Sequence, residues 1–127
     1  MARIVERDVA LSELPIRGII INTEAGGVVA VTVYPSDSGI LFINKESSAT
    51  VEYTLPAVAD AKGKWFWFFT GVAQKMKITA PASTMYCIET TVQTSTFSDA
   101  QIGTSGMCIC DGSYYYFFEL SGSWATS

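Results

Sequence analysis

Chemistry in this chain would have to come from carboxylates, thiols and aromatic rings, because it contains no histidine. That removes the Ser-His-Asp arrangement, the Cys-His pair and most zinc sites. The three cysteines, Cys87, Cys108 and Cys110, cannot complete a structural zinc site unaided. They are also too few and too unevenly spaced for a disulfide framework. They read as buried free thiols of a protein made in a reducing cytoplasm. Twelve acidic residues could in principle supply a glycosidase pair. Most sit in the N-terminal stretch or in turns and outward positions, among them Asp37, Glu46, Glu52, Asp60, Asp99 and Asp111. Nothing in their spacing selects a pair or a calcium loop. Asp37 and Asp111 fit better as side chains bonding their own turn backbones. Gly26-Gly27 lacks the spacing and the following Lys-Ser/Thr of a phosphate loop. No catalytic, metal-binding or cofactor-binding residue is assigned, and no enzyme is expected.

Rings remain. Tyr114, Tyr115, Tyr116 and Trp124 could form a platform on which sugars stack. Alternation along a strand, however, puts Tyr114 and Tyr116 with Phe118 and Leu120, a set that reads as core. Only Tyr115 then claims the other face.

The elements that would position such residues are strands. Five aromatics stand together in Trp65-Phe66-Trp67-Phe68-Phe69. Trp65, Trp67 and Phe69 fall on one face, Phe66 and Phe68 on the other, so a strand here should be covered on both sides. Val29, Val31 and Val33 alternate with Ala30, Thr32 and Tyr34. Val51, Tyr53 and Leu55 face inward and Glu52 and Thr54 outward. Met76 and Ile78 alternate with Lys75, Lys77 and Thr79, and these lysines suit an exposed sheet edge. A strand is expected over Met85 to Val92, and a loop over Gln93 to Asp99. Asp111-Gly112-Ser113 signals a tight hairpin. Eight to ten short strands with turns every eight to twelve residues imply an all-β fold, an antiparallel, jelly-roll-like β-sandwich or barrel. It spans residues 19–127. Residues 1–18 differ, mixing Arg3, Glu6, Arg7, Asp8 and Glu13 with Ile4, Val5, Val9, Leu11 and Leu14. They read as an arm whose five apolar residues bind a partner. Its early charges do not fit a secretory signal.

Composition sharpens the class. Apolar residues make up 49% and charged residues 16%, against about 25% charged in an ordinary soluble domain. No run approaches the ~18 apolar residues of a membrane helix. The surplus points to a large protein–protein contact. A net charge of -4 without a Lys/Arg cluster argues against nucleic acid.

An ordered set of short motifs carries a resemblance. It comprises Asp37-Ser38-Gly39, Phe42-x-Asn44, Thr54-Leu55-Pro56-Ala57, Lys62-Gly63-Lys64-x-Phe66-x-Phe68, Ile78-Thr79-Ala80-Pro81, Ile102-Gly103-x-Ser105, Asp111-Gly112-Ser113-x-Tyr115 and Ser121-Gly122-Ser123-Trp124. Over residues 36–124 this resembles a β-module of tailed-bacteriophage structural proteins: head decoration (cement) proteins, head fibres and tail fibres. Two places depart from that pattern: Ile109-Cys110 precedes the Asp-Gly, and Tyr115-Tyr116 stands where a Trp-Tyr pair is usual. The resemblance implies a virion structural protein on the capsid exterior, made in the host cytoplasm. It would bind the outer surface of the head and bridge major capsid subunits as a homo-oligomer, by analogy a trimer. No cofactor, nucleic acid or membrane is implied. The alternative is a head- or tail-fibre module that binds host glycan or receptor through Tyr115, Trp124 and Trp65 or Trp67.

Overall fold

A computed structural model describes residues 16–23 and 29–126. The arm residues Ile4, Val5, Val9, Leu11 and Leu14, and the Gly26-Gly27 turn, lie outside the described residues. Eleven strands are described: β1 (Gly18–Thr23), β2 (Ala30–Thr32), β3 (Ile40–Lys45), β4 (Val51–Thr54), β5 (Trp65–Thr70), β6 (Met76–Thr79), β7 (Met85–Tyr86), β8 (Ser95–Ser98), β9 (Ser105–Cys110), β10 (Tyr115–Ser121) and β11 (Trp124–Ala125). Short 3-10 turns at Pro35–Asp37 and Val58–Asp60 interrupt them.

The strands form two sheets. One has six strands in the order β1-β3-β5-β9-β10-β7, the other five in the order β11-β8-β6-β4-β2. The all-β expectation holds, but the sheets are mixed rather than antiparallel. β1, β3 and β5 run parallel, as do β2, β4 and β6. From β1 to β6 the chain alternates between the sheets, so it winds as a coil. Gly18 pairs with Ile40, 22 residues on (40 − 18), and Leu41 with Trp67, 26 residues on (67 − 41). After β6 the direction reverses: β8 pairs antiparallel with β6, and β9 with β5. The antiparallel expectation rested on the spacing of short strands and turns, which does not fix where a turn leads. A turn of the same composition also carries an arch across to the facing sheet.

Asp111-Gly112-Ser113 does form a hairpin, joining β9 to β10. Asp111 Oδ1 accepts the amides of Ser113 and Tyr114 at 2.8 and 2.7 Å. Asp37 Oδ2 likewise accepts the Tyr34 amide at 2.9 Å. Three other expectations are corrected. The strand expected over 85–92 shrinks to Met85–Tyr86, which leaves Cys87 outside it. Ser95–Ser98, read as a loop, is a strand with Thr96 and Ser98 buried. Ser98 Oγ accepts the Met76 amide at 2.8 Å, so the inward hydroxyl is satisfied. Strand β6 is interior to its sheet, so Lys75 and Lys77 guard no edge.

The core lies between the sheets. Phe42, Phe66, Phe68, Tyr115 and Phe117 enter from the six-stranded sheet, and Val51, Tyr53, Met76, Ile78 and Trp124 from the five-stranded one. Phe42, Tyr53 and Phe68 pack with ring centroids 5.5–5.8 Å apart. Each such buried ring contributes roughly 1.5–3 kcal/mol. At one end of the coil, polar side chains stack instead: buried Asn22 donates to Asn44 Oδ1 at 3.1 Å, and the Glu46 amide donates to the same oxygen at 3.1 Å.

Candidate functional site

The two outer faces of the molecule differ in kind. On the five-stranded sheet, β4 and β6 alternate apolar-in and polar-out, and the outside carries Thr54, Glu52, Lys77 and Thr79. Lys77 Nζ pairs with Glu52 Oε2 at 3.0 Å, and Thr79 Oγ1 donates to the same oxygen at 2.7 Å. The Thr79 hydroxyl first, then Lys77, holds the Glu52 carboxyl below the usual range. Lys77 also lies 5.4 Å above the Phe97 ring. This is a water-facing surface.

The six-stranded sheet is apolar on both sides. Registers align its outward residues in rows across the strands. One row runs Ile19-Leu41-Trp67-Met107-Phe118. A second runs Ile21-Ile43-Phe69, ending on Ser105 and Ser121, whose hydroxyls meet at 2.8 Å. A third runs Trp65-Ile109-Tyr116-Tyr86. Ile19 is 57% exposed and Phe118 48%. Trp65 and Trp67 are half-buried with ring centroids 6.2 Å apart. Within the one chain β5 is covered on a single face: Phe66 and Phe68 are fully buried, while Trp65, Trp67 and Phe69 lie on the open side.

Among the described residues, charge on this face lies at its margins: Arg17 before β1, Asp111 on the β9–β10 turn, and exposed Lys45, which ends β3 on the same alternation as Leu41 and Ile43. Before β1, Arg17 donates from Nε to the Ser38 carbonyl and from Nη2 to the Ser36 carbonyl, both at 2.6 Å. Both acceptors are neutral, and no ion pair to Arg17 is present among the described residues. Gly39, at φ +86°, makes room: a Cβ there would sit 3.1 Å from Arg17 Cγ. At the opposite end, Asp111 Oδ2 accepts the Tyr116 hydroxyl at 2.6 Å. That bond, with the turn amides, holds the Asp111 carboxyl below the usual range, and it pushes the Tyr116 phenol up to about 12.

The tyrosine run is reversed from expectation. Tyr115 is fully buried and donates to the Pro56 carbonyl at 2.5 Å. Tyr114 and Tyr116 point outward, with Phe118. Tyr86 from β7 packs 5.0 Å from Tyr114 and stacks on Tyr116 at 5.5 Å. Trp124 is buried against Phe117, 4.7 Å away, and its Nε1 donates to the Ser105 carbonyl at 3.1 Å. Neither Tyr115 nor Trp124 can present a ring to a sugar.

A hollow of about 150 Å³ lies beside Lys75, Phe97, Asp99 and Trp124, smaller than the ~300 Å³ of ordinary ligand pockets. Among the described residues no group of three or more Cys, Asp or Glu side chains is placed to hold a metal ion.

Apart from Trp67, sequence reasoning missed the outward residues of the first two rows as a site. A signal was present. The strands Gly18–Thr23, Ile40–Lys45, Trp65–Thr70, Ser105–Cys110 and Tyr115–Ser121 carry apolar residues at both alternations, whereas Val51–Thr54 and Met76–Thr79 alternate with polar ones. No protein-family model matches the sequence, and no curated protein matches it as a relative.

Proposed function

We propose that the chain is a capsid decoration (cement) protein of a tailed phage, which binds the outer surface of the head and bridges major capsid subunits. The observation that supports this is the two-faced build: one sheet turned to water, the other presenting rows of uncharged apolar side chains. Such a body belongs between a protein partner and solvent. Stabilisation would follow from mass action. A protein that binds the assembled lattice and not its free subunits favours the lattice by RT ln(1 + [L]/Kd), about 2.7 kcal/mol at a hundredfold excess over Kd. The N-terminal residues Ile4, Val5, Val9, Leu11 and Leu14 would add a contact across a subunit boundary. The test is co-sedimentation of the purified chain with heads lacking it, together with the melting temperature of those heads. Saturable binding and a raised melting temperature are expected. Protein left wholly in the supernatant overturns the proposal.

A second reading, a fibre module that binds host glycan, is favoured by the outward Tyr86, Tyr114 and Tyr116 beside Asp111. Aromatic faces with a hydrogen-bond acceptor are the chemistry that holds sugars. Glycan-array binding that is lost in Tyr86→Ala would support it, and an array without hits would refute it.

A further inference from the structure

We propose that the open face of the six-stranded sheet is where a second copy of this chain docks. It rests on the proposed function's reading of that face as a protein contact, names a second copy rather than a capsid subunit as what covers it, and is tested separately. The first support is size. Six strands at ~4.8 Å spacing and three rows at ~6.8 Å cover about 29 by 20 Å, or about 600 Å² in projection. That is about three-quarters of the ~800 Å² per partner of a stable interface and at the upper end of the patches that monomers expose.

The second support is charge. The rows Ile19-Leu41-Trp67-Met107-Phe118, Ile21-Ile43-Phe69 and Trp65-Ile109-Tyr116-Tyr86 contain no ionisable group other than tyrosine, and the charges Arg17, Lys45 and Asp111 lie at the margins of the face. A centre without charge meets its own copy without like-charge repulsion. Two of the marginal charges, Arg17 and Asp111, are complementary. Arg17 stands at the β1 end of the third row, and Asp111 at the β10 end. Two copies placed face to face about an axis along the strands set each Arg17 toward the other copy's Asp111 end. The same surface thus serves both partners, as a two-fold contact requires.

Two faces of this kind would pack as stacked sheets do, with side chains interdigitated and strands nearly aligned. Trp67 and Met107 occupy the middle of the central row, where a contact concentrates its energy. A charge introduced there would be buried without a partner.

The experiment is sedimentation equilibrium of the full chain at micromolar concentration. Wild type is compared with Trp67→Arg, Met107→Arg and, on the water-facing sheet, Thr54→Arg. Circular dichroism and a thermal melt check folding. Wild type and Thr54→Arg are expected at the mass of at least two copies, and the two face variants at 13.8 kDa while still folded. If Trp67→Arg fails to fold, Met107→Arg carries the test. A wild type at 13.8 kDa overturns the proposal, as does an assembly indifferent to both face substitutions. Heads distinguish the two proposals. Self-association without head binding refutes the decoration reading alone, and head binding by a monomeric wild type refutes the second-copy proposal alone.

Discussion

The ring of Phe117 lies directly over Gly106 on the neighbouring strand, in the place where any other residue would carry a Cβ. A methyl group there would stand 2.8 Å from Phe117 Cε1 and 3.0 Å from Trp124 Cζ2. The absent side chain lets Phe117 tilt into its edge-on contact with Trp124, which closes this end of the core. Gly106→Ala should therefore destabilise the fold by about 1–3 kcal/mol through overpacking. A thermal melt should show a midpoint lowered by several degrees, and an unchanged midpoint would refute the packing account.

Tyr53 and Tyr115 are both fully buried, yet their hydroxyls differ. Tyr115 donates to the Pro56 carbonyl, whereas the Tyr53 hydroxyl has no partner among the described residues. Burial pushes both phenols well above their ordinary value. Removing the lone hydroxyl relieves its desolvation cost, so Tyr53→Phe should be neutral or stabilising by up to about 1 kcal/mol. Tyr115→Phe leaves a carbonyl unsatisfied and should cost about 1 kcal/mol or more. Urea midpoints for the pair check this; a larger loss for Tyr53→Phe than for Tyr115→Phe would contradict it.

Acid should weaken the fold. Asp99 accepts the Thr104 hydroxyl and the Ser123 amide, which hold its carboxyl below the usual range. Asp111 and Glu52 are lowered in the same direction. A carboxyl whose folded pKa lies below its unfolded value contributes fully above about pH 4, and that contribution is lost as pH falls through the folded value. Glu119 opposes them: burial raises its pKa, so it favours folding at the acid end. The urea midpoint should hold from pH 7 to about 5 and fall below about 4. In Asp99→Asn it should start lower and fall less. A parallel acid loss in that variant would remove Asp99 from the account.

Thiol reactivity should follow burial. Cys108 is wholly enclosed, and burial pushes its thiol far up; Cys110 is buried and raised for the same reason. Cys87 is partly exposed, raised by burial and then by Glu89 and Glu119. A disulfide reagent at pH 8 should modify Cys87 first in the native protein, and all three thiols at similar rates in guanidinium. Rapid native labelling of Cys108 would contradict its enclosure.

Strand positions and turns were readable from residue order wherever one alternation was polar. Val51, Tyr53 and Leu55 face inward as their spacing predicts, because Glu52 and Thr54 define the wet side. Tyr114 to Leu120 offered no such contrast. With apolar residues at both alternations, which face is core depends on what lies across the sheet, and the reading came out inverted. Ser95–Ser98 hid for the opposite reason: its buried Thr96 and Ser98 are polar, and the Met76 amide that satisfies Ser98 is 22 residues away. Whether a turn ends in a hairpin or an arch is decided by the facing sheet, so the coil was out of reach of local composition. The candidate face was half legible, as an excess of apolar residues without a location.

The winding from β1 to β6 bears on how the chain first takes shape. Each of β1 to β4 waits for a neighbour a full circuit further along, so none of these pairs closes through a local turn. Among the described strands, β9 and β10 are the sole consecutive pair that zip directly together. Loop closure over short separations is fast and over long ones slow. The last-made hairpin would therefore serve as the template on which β5 settles, with β3 and β1 added in reverse order of synthesis.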